Sequence, residues 1–262
     1  MAMLKELFNH RRLIFSLAKN DFKAKYATSF LGTVWALVLP LTNILVFWYV
    51  FQVGLRNGNV GDYPFIVWYA PAFLVWTYFA DSFSGATNSI REYSYLIKKV
   101  NFPVLSIPII KIISVLIIHV VFLIVIVIIN LFYGIYPNIY YLQSLYYLLA
   151  ITINLMGLGW LFSALAVVFP DTVNLVSVAL QLGFWVSPII WNPSSMSDQA
   201  QRLLRINPMY YICEGYRNSF LYQSWFWEDM GYTIYFWIAT IIIWILGTYV
   251  FRNTKDRFAD LV

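Results

Sequence analysis

The chain has 262 residues, of which 61% are hydrophobic and only 11% are charged, and its formal net charge is +5. Because soluble domains carry about 25% charged residues, this composition excludes a typical soluble enzyme and a disordered chain, and it indicates several membrane spans. Cys213 is the only cysteine in the sequence, so an intrachain disulfide and a disulfide-stapled secreted module are excluded as well.

The first predicted element is an amphipathic helix over residues 4–22. This segment carries several charges and lacks an apolar core followed by a small-residue cleavage site, so a cleavable signal peptide is not expected. Its apolar residues share a helical face that Arg11 interrupts, which is typical of a helix lying on the inner membrane surface. A generic membrane anchor is the alternative. The face consists of Leu4, Leu7, Phe8, Ile14, Phe15 and Ala18.

Six apolar runs are each long enough to cross a bilayer core about 30 Å thick. The boundary between the fourth and fifth runs falls at Pro170, which cannot continue a helix comfortably, and Asp171 or Thr172 can cap the next one. The sequence therefore predicts an all-α integral membrane protein with a single domain over residues 1–262. The six runs are 31–53, 64–84, 104–132, 145–169, 173–191 and 231–251.

Lysine and arginine are divided unequally between the segments that flank these runs. With the N-terminus inside, 13 of them lie on the inner side, counting Lys111 at the membrane edge, and four on the outer side. Because cytoplasmic flanks are enriched in Lys and Arg, this asymmetry predicts that both termini are cytoplasmic. Lys111, inside the third run, is expected to snorkel to the inner surface. The basic charge sits at helix ends, so no nucleic-acid partner is expected.

Two loops are predicted to be structured. In the inner loop over residues 85–103, Ser89 and Glu92 have the spacing of a capping box, which predicts a short helix over 89–101. Such a helix could be a handle for a cytosolic partner or a solvated connector. The outer segment over residues 192–230 is too apolar for a free linker. It is predicted to form two short helices that dip back into the outer leaflet, at about 198–206 and 208–222.

Several kinds of chemistry are absent from the sequence. No glycine is followed by lysine, so there is no phosphate-binding loop, and no metal-binding or serine-hydrolase motif is present. Within the six runs the side chains Asp81, Lys111 and His119 are the only acidic, basic or histidine groups, and no two acids lie close together. This scarcity disfavours both an enzyme and ion-coupled transport.

Aromatic residues suggest what passes through the membrane. Tyr69, Phe73 and Trp76 recur on one face of the second run, and Phe184 and Trp185 lie in the fifth. Such faces suit sugar rings or lipid tails, although aromatic residues also fill bundle cores and membrane interfaces. Substrate contact and core packing are therefore both open.

Four dispersed motifs, in the right order along the chain, resemble the ABC-2 type permeases. Each motif is weak alone, and the ordered set carries the resemblance. Many members have Arg before the Asp between helices four and five, whereas Pro170 precedes Asp171 here, which puts any transferred role of this loop in doubt. The motifs are residues 20–35 with Pro40, residues 96–103, Ser187-Pro188-Ile189-Ile190, and residues 206–217.

The resemblance implies a homodimeric channel that binds two copies of a separate cytosolic ATPase, which would hold the ATP and Mg²⁺. Its cargo would be a polysaccharide on an undecaprenyl-diphosphate lipid, exported across a bacterial plasma membrane. The closest likeness is to teichoic-acid translocation permeases. O-antigen and capsule exporters, and ABC-2 exporters of drugs or lipids, are alternatives, and a membrane enzyme acting on lipid-linked sugars is less favoured.

Four groups of residues follow as candidates. The groups expected to couple to the ATPase are Arg91, Glu92, Tyr95, Lys98 and Lys99. The groups expected at the substrate phosphates, with ordinary inner-surface anchoring as the alternative, are Lys19, Lys23 and Lys25. The expected channel-lining residues are Tyr69, Phe73, Trp76, Phe184 and Trp185. The expected outer gate consists of Asn207, Pro208, Glu214 and Arg217, in which Glu214 and Arg217 would pair along one helix.

Overall fold

The computed structural model is built almost entirely of helices. It begins with α1 (Ala2–Asn9) and α2 (Arg11–Ala24), so the single helix predicted over 4–22 is divided. The division falls at His10, whose φ of −96° and ψ of 11° leave the helical region. The structure describes residues 2–27, 29–54, 58–97 and 102–258.

The first apolar run forms α3 (Trp35–Trp48), which follows a 3-10 turn and passes into a π-helical turn. The whole helical stretch extends from Gly32 to Gly54. A two-stranded antiparallel hairpin of β1 (Asn59–Val60) and β2 (Tyr63–Pro64) then leads the chain into the second run.

The second run forms α4 (Phe65–Glu92), which continues into the predicted inner loop. The prediction that a new helix starts at Ser89 is wrong, because Ser89 is buried inside α4 and its hydroxyl donates to the carbonyl of Ala86. A serine in a continuing helix bonds back to the preceding turn instead of capping a new one. A single turn, α5 (Ser94–Ile97), follows, and the predicted residues 98–101 lie outside the described part of the chain.

The third, fourth and fifth runs form α6 (Ile107–Phe132), α7 (Gln143–Val168) and α8 (Thr172–Val186). α8 ends earlier than predicted. Pro188 disfavours a helical conformation in the residue before it, and Ser187 is extended, with φ −81° and ψ 147°.

The predicted outer segment contains α9 (Asp198–Leu204) and α10 (Pro208–Arg217), and the last run forms α11 (Met230–Thr254). The side chain of Ser197 caps α9, and that of Asn207 caps α10. Two short helices are therefore present where two were predicted, while their depth in a membrane stays a prediction.

Four helical stretches among the described residues are long and apolar enough to cross a membrane. α8 is apolar but shorter, and α4 is not one of the four. A helical membrane protein is thus confirmed, whereas the count of six spans and the cytoplasmic position of both termini stay predictions. The four stretches are Gly32–Gly54, Val104–Phe132, Ile139–Val168 and Met230–Arg257.

α7 packs most extensively against α11, and α4 packs against both α6 and α7. At one end of this bundle α2 lies against α6 and buries Ile14 and Ala18 in an apolar cluster. Phe8 and Phe15 face outward and are 64% and 59% exposed. Among the side chains that the structure describes, the apolar face predicted for the N-terminal segment is therefore split, and Ile14 and Ala18 cover protein.

Candidate functional site

Helices α2, α4 and α6 meet in an inner cluster formed by Asp21, Glu92, Tyr93 and Lys111. The Nζ of Lys111 lies 2.7 Å from Oδ1 of Asp21 and also contacts the carboxylate of Glu92. The hydroxyl of Tyr93 donates to Asp21 at 2.8 Å. Burial and this hydrogen bond raise the pKa of Tyr93, so the hydroxyl stays protonated and remains a donor. A single lysine thereby joins three helices.

A cavity of about 480 Å³ opens beside the inner cluster. Its wall also contains Lys25 and Asp81, whose Nζ and Oδ2 atoms lie 3.5 Å apart with both side chains more than half exposed. The cavity is thus lined by three carboxylates and two amines, and each amine already has an acidic neighbour. Such a wall has no surplus of positive charge to attract a phosphate.

The three lysines predicted at the substrate phosphates do not form one site. Lys25 pairs with Asp81, whereas Lys19 and Lys23 are exposed on α2. Lys19 lies along an open groove with Arg11 and Arg12. The arrangement leaves phosphate binding at Lys19 and Lys23 as a prediction.

The predicted coupling residues lie where α4 ends. Glu92 belongs to the inner cluster and accepts a hydrogen bond from Asn88 at 3.1 Å. Arg91 is partly exposed, and Tyr95 is 58% exposed. Lys98 and Lys99 lie outside the described residues. Contact of this region with an ATPase stays a prediction.

The predicted channel-lining residues are divided between the interior and the surface. Tyr69 stacks between Phe47 and Phe73 with centroid distances of 5.2 and 5.1 Å, and all of its surface is buried within the chain. Trp76 meets Phe184 edge to face at 6.1 Å and joins α4 to α8. Trp185, by contrast, is 61% exposed. Tyr69 and Phe73 stack on each other within α4, whereas Trp76 and Phe184 form a contact between helices. The channel-lining role stays a prediction for all five residues.

The predicted outer gate contains a buried arginine. Arg217 has no exposed surface, and its guanidinium lies 3.5 Å above the ring of Trp68. Nε donates to the carbonyl of Trp68 at 3.1 Å, Nη2 donates to the carbonyl of Ile189 at 3.0 Å, and Nη1 pairs with Glu214 at 2.5 Å. These four residues, Trp68, Ile189, Glu214 and Arg217, are the arginine site. It ties α10 to α4 and to the extended stretch after α8.

The start of α10 is tied to the same stretch. Asn207 uses its side-chain oxygen to cap the helix at Met209, and its amide donates to the hydroxyl of Ser187 at 2.9 Å. Pro208 occupies the first helical position, where its missing N–H costs nothing. The non-helical residues after α8 are thus held by both ends of α10.

The partners in two interhelical contacts were not predicted from the sequence. Asp21 and Lys111 are ninety residues apart, and only the helical spacing of Asp21 from the buried Ile14 and Ala18 signals that it faces protein. His119 pairs through Nε2 with the hydroxyl of Tyr216 at 2.8 Å. That bond joins the middle of α6 to α10, beside the arginine site.

Comparisons with known proteins agree with this architecture. The model of the family described as ABC-2 type transporter matches residues 12–221. The chain is 27% identical to the O-antigen export system permease protein RfbA of Myxococcus xanthus, over 99% of both chains. It is 25% and 24% identical to two proteins of the same name from Klebsiella pneumoniae, over 95% of each chain.

Proposed function

Because the chain belongs to the ABC-2 type transporter family, we propose that it is the permease subunit of an ATP-driven exporter of lipid-linked polysaccharide. The observation that carries the proposal is the full-length similarity to permeases named for O-antigen export. The lack of a phosphate-binding loop supports a division of labour in which a separate ATPase binds ATP and Mg²⁺. Two permeases and two ATPase subunits would form the complete exporter in a bacterial plasma membrane.

The proposed cargo is an O-antigen-like glycan on an undecaprenyl-diphosphate lipid. The names of the relatives favour this cargo over the teichoic acid predicted from the sequence motifs. Teichoic acid stays a second candidate on the strength of those motifs alone.

On the inner side, closure of the ATPase subunits on ATP would push on α2 and on the α4–α5 corner. The inner cluster supports this route, because Lys111 connects α2 and the end of α4 to the spanning helix α6. The exposed Lys19 and Lys23 on α2 would then face the lipid diphosphate in the inner leaflet.

On the outer side, α3, α4 and α8 would part to admit the glycan, and α10 would act as the gate. The arginine site supports this role, because Arg217 holds α4 and the stretch after α8 against α10. Any separation of these elements must break hydrogen bonds of a fully buried guanidinium, which makes the closed state a defined one.

The test is export by the reconstituted complex. Permease and its ATPase are placed together in vesicles with lipid-linked glycan, and the glycan that becomes accessible on the opposite face is measured with ATP and with a non-hydrolysable analogue. We expect export with ATP and no export with the non-hydrolysable analogue. Export of drugs or simple lipids without glycan would replace the proposal by the other ABC-2 class, and conversion of the glycan lipid by the permease without ATP would indicate an enzyme.

A further inference from the structure

A second cavity, of about 320 Å³, lies at the opposite end of the bundle from the inner cluster. We call it the outer cavity. It is bounded by the first turns of α7 and α11, by α10, and by the loop that precedes α11. Small-ligand sites have volumes of about 300–1,000 Å³, so the outer cavity is large enough for one or two sugar rings.

Aromatic rings form much of its wall, and their neighbours hold them in place. Phe226 stacks on Tyr146 at a centroid distance of 4.0 Å, and Trp225 stacks on Trp227 at 4.5 Å. Fixed rings of this kind present apolar surface with little entropy to lose on binding. The aromatic residues of the wall are Tyr147, Tyr210, Tyr211, Trp225, Phe226 and Tyr232.

The polar groups of the wall combine donors and acceptors. Glu214 uses Oε1 for Arg217, so its Oε2 keeps its acceptor capacity. Arg205 approaches Asp229 at 3.5 Å and has further N–H groups to donate, and Asn218 adds an amide that both donates and accepts. A polyhydroxylated ligand needs this mixture, because each of its hydroxyl groups is both donor and acceptor.

The charge of the wall distinguishes between ligands. Glu228 is held ionised, since the backbone N–H of Trp225 and the hydroxyl of Ser224 lower the pKa of its carboxyl group. Three carboxylates and one guanidinium line the wall. If Arg217, which lies behind Glu214, is counted as a second guanidinium, the carboxylates still outnumber the guanidiniums. This balance opposes a phosphate-rich polymer and is compatible with a neutral one.

We propose that the outer cavity is a binding site for a neutral sugar unit of the glycan as it leaves the channel. The inference rests on the proposed function and adds a site and a charge class to it. A sugar bound there contacts Glu214, the partner of Arg217, so the site would place the emerging glycan next to the residue that closes the gate.

Ligand-observed saturation-transfer NMR on the purified permease–ATPase complex tests the proposal. The probes are neutral mannose and galactose trisaccharides and an oligomer of glycerol phosphate. We expect transfer to at least one neutral trisaccharide, a loss of at least fivefold in Arg205→Gln/Asn218→Leu, and no change in Arg202→Gln, an exposed arginine on the preceding helix. If the double variant does not fold, Arg205→Gln alone replaces it in the test, because this side chain is half exposed and its loss should be tolerated.

Three results would overturn the site: no transfer to any neutral trisaccharide, equal transfer in the variants, or stronger transfer to glycerol phosphate. ATP-dependent glycan export is measured on the same preparations to separate the two proposals. Export without trisaccharide binding would refute the proposed sugar site in the outer cavity and leave the proposed function standing. Trisaccharide binding without export of any glycan removes the proposed function.

Discussion

The inner cluster and the arginine site both place a basic side chain beside carboxylates, yet they differ in burial and reach. Lys111 joins residues from three helices, and its side chain is 15% exposed beside a Glu92 that is 43% exposed. Arg217 pairs with a residue of its own helix and is fully buried. It therefore depends on backbone carbonyls of other elements to satisfy its remaining donors.

The difference shows which ion pair tolerates movement. Water can replace a lost partner at the edge of the inner cluster, so its contacts can break and re-form at moderate cost. A guanidinium with no access to water has no substitute for its partners, and leaving it unpaired is expensive. The inner cluster thus suits a contact that rearranges in every transport cycle. The arginine site suits a contact that holds one defined closed state.

The largest effect is expected for Arg217→Ala. This change strands Glu214, removes one donor from each of two backbone carbonyls and removes the contact with Trp68, which together should cost about 3–5 kcal/mol of stability. Thermal unfolding of the purified permease, and export in cells with ATPase expression as a reference, measure it. Arg202→Ala, at an exposed arginine of α9, is the control and should be silent. Normal export by Arg217→Ala would refute the proposal that the arginine site holds the closed state of the gate.

The next effect separates packing from charge. At Gly215 in α10, an added Cβ would overlap the ring of Tyr147, so Gly215→Ala should cost about 3 kcal/mol by overpacking. At Gly85, in the wall of the cavity beside the inner cluster, the same Cβ would lie 3.7 Å from Cβ of Lys111, an ordinary contact. Gly85→Ala should be neutral or gain about 0.5–1 kcal/mol from helix propensity. Equal unfolding temperatures for the two variants would contradict the contrast in packing.

The same contrast explains what sequence reasoning could reach. The start of α10 was predictable, because Asn207 and Pro208 are local signals for a helix N-terminus. The continuation of α4 through Ser89 was not, because the capping spacing is local and the burial that overrides it is tertiary. Glu214 and Arg217 could be paired from their spacing of three, whereas the partners of Lys111 lie on other helices and leave no pattern along the chain.

A smaller effect is expected at the inner cluster. Lys111→Met keeps an unbranched side chain and removes the charge, so Asp21 and Glu92 lose their shared partner. We expect a loss of about 1–2 kcal/mol, between exposed and buried pairs. The specific readout is coupling, because α2 would move without carrying α6, and more ATP should be hydrolysed for each glycan exported. Lys111→Arg should restore much of the coupling. An unchanged ratio of ATP to glycan in Lys111→Met would exclude the inner cluster from energy transfer.

The smallest structural effect is expected for Lys25→Ala. Its partner Asp81 lies 3.5 Å away and both side chains are more than half exposed, so the pair should contribute less than about 1 kcal/mol. Stability and the ratio of ATP to glycan should therefore stay at their original values.

Lys19→Ala and Lys23→Ala should be equally stable, because both side chains are exposed. If these two lysines attract the lipid diphosphate, their variants raise the glycan-lipid concentration needed for half-maximal export, while Lys25→Ala does not, since its amine already faces a carboxylate. The same rise in all three variants would assign Lys25 to the phosphate site after all, and no rise in any of them would leave the lysines of α2 as membrane anchors.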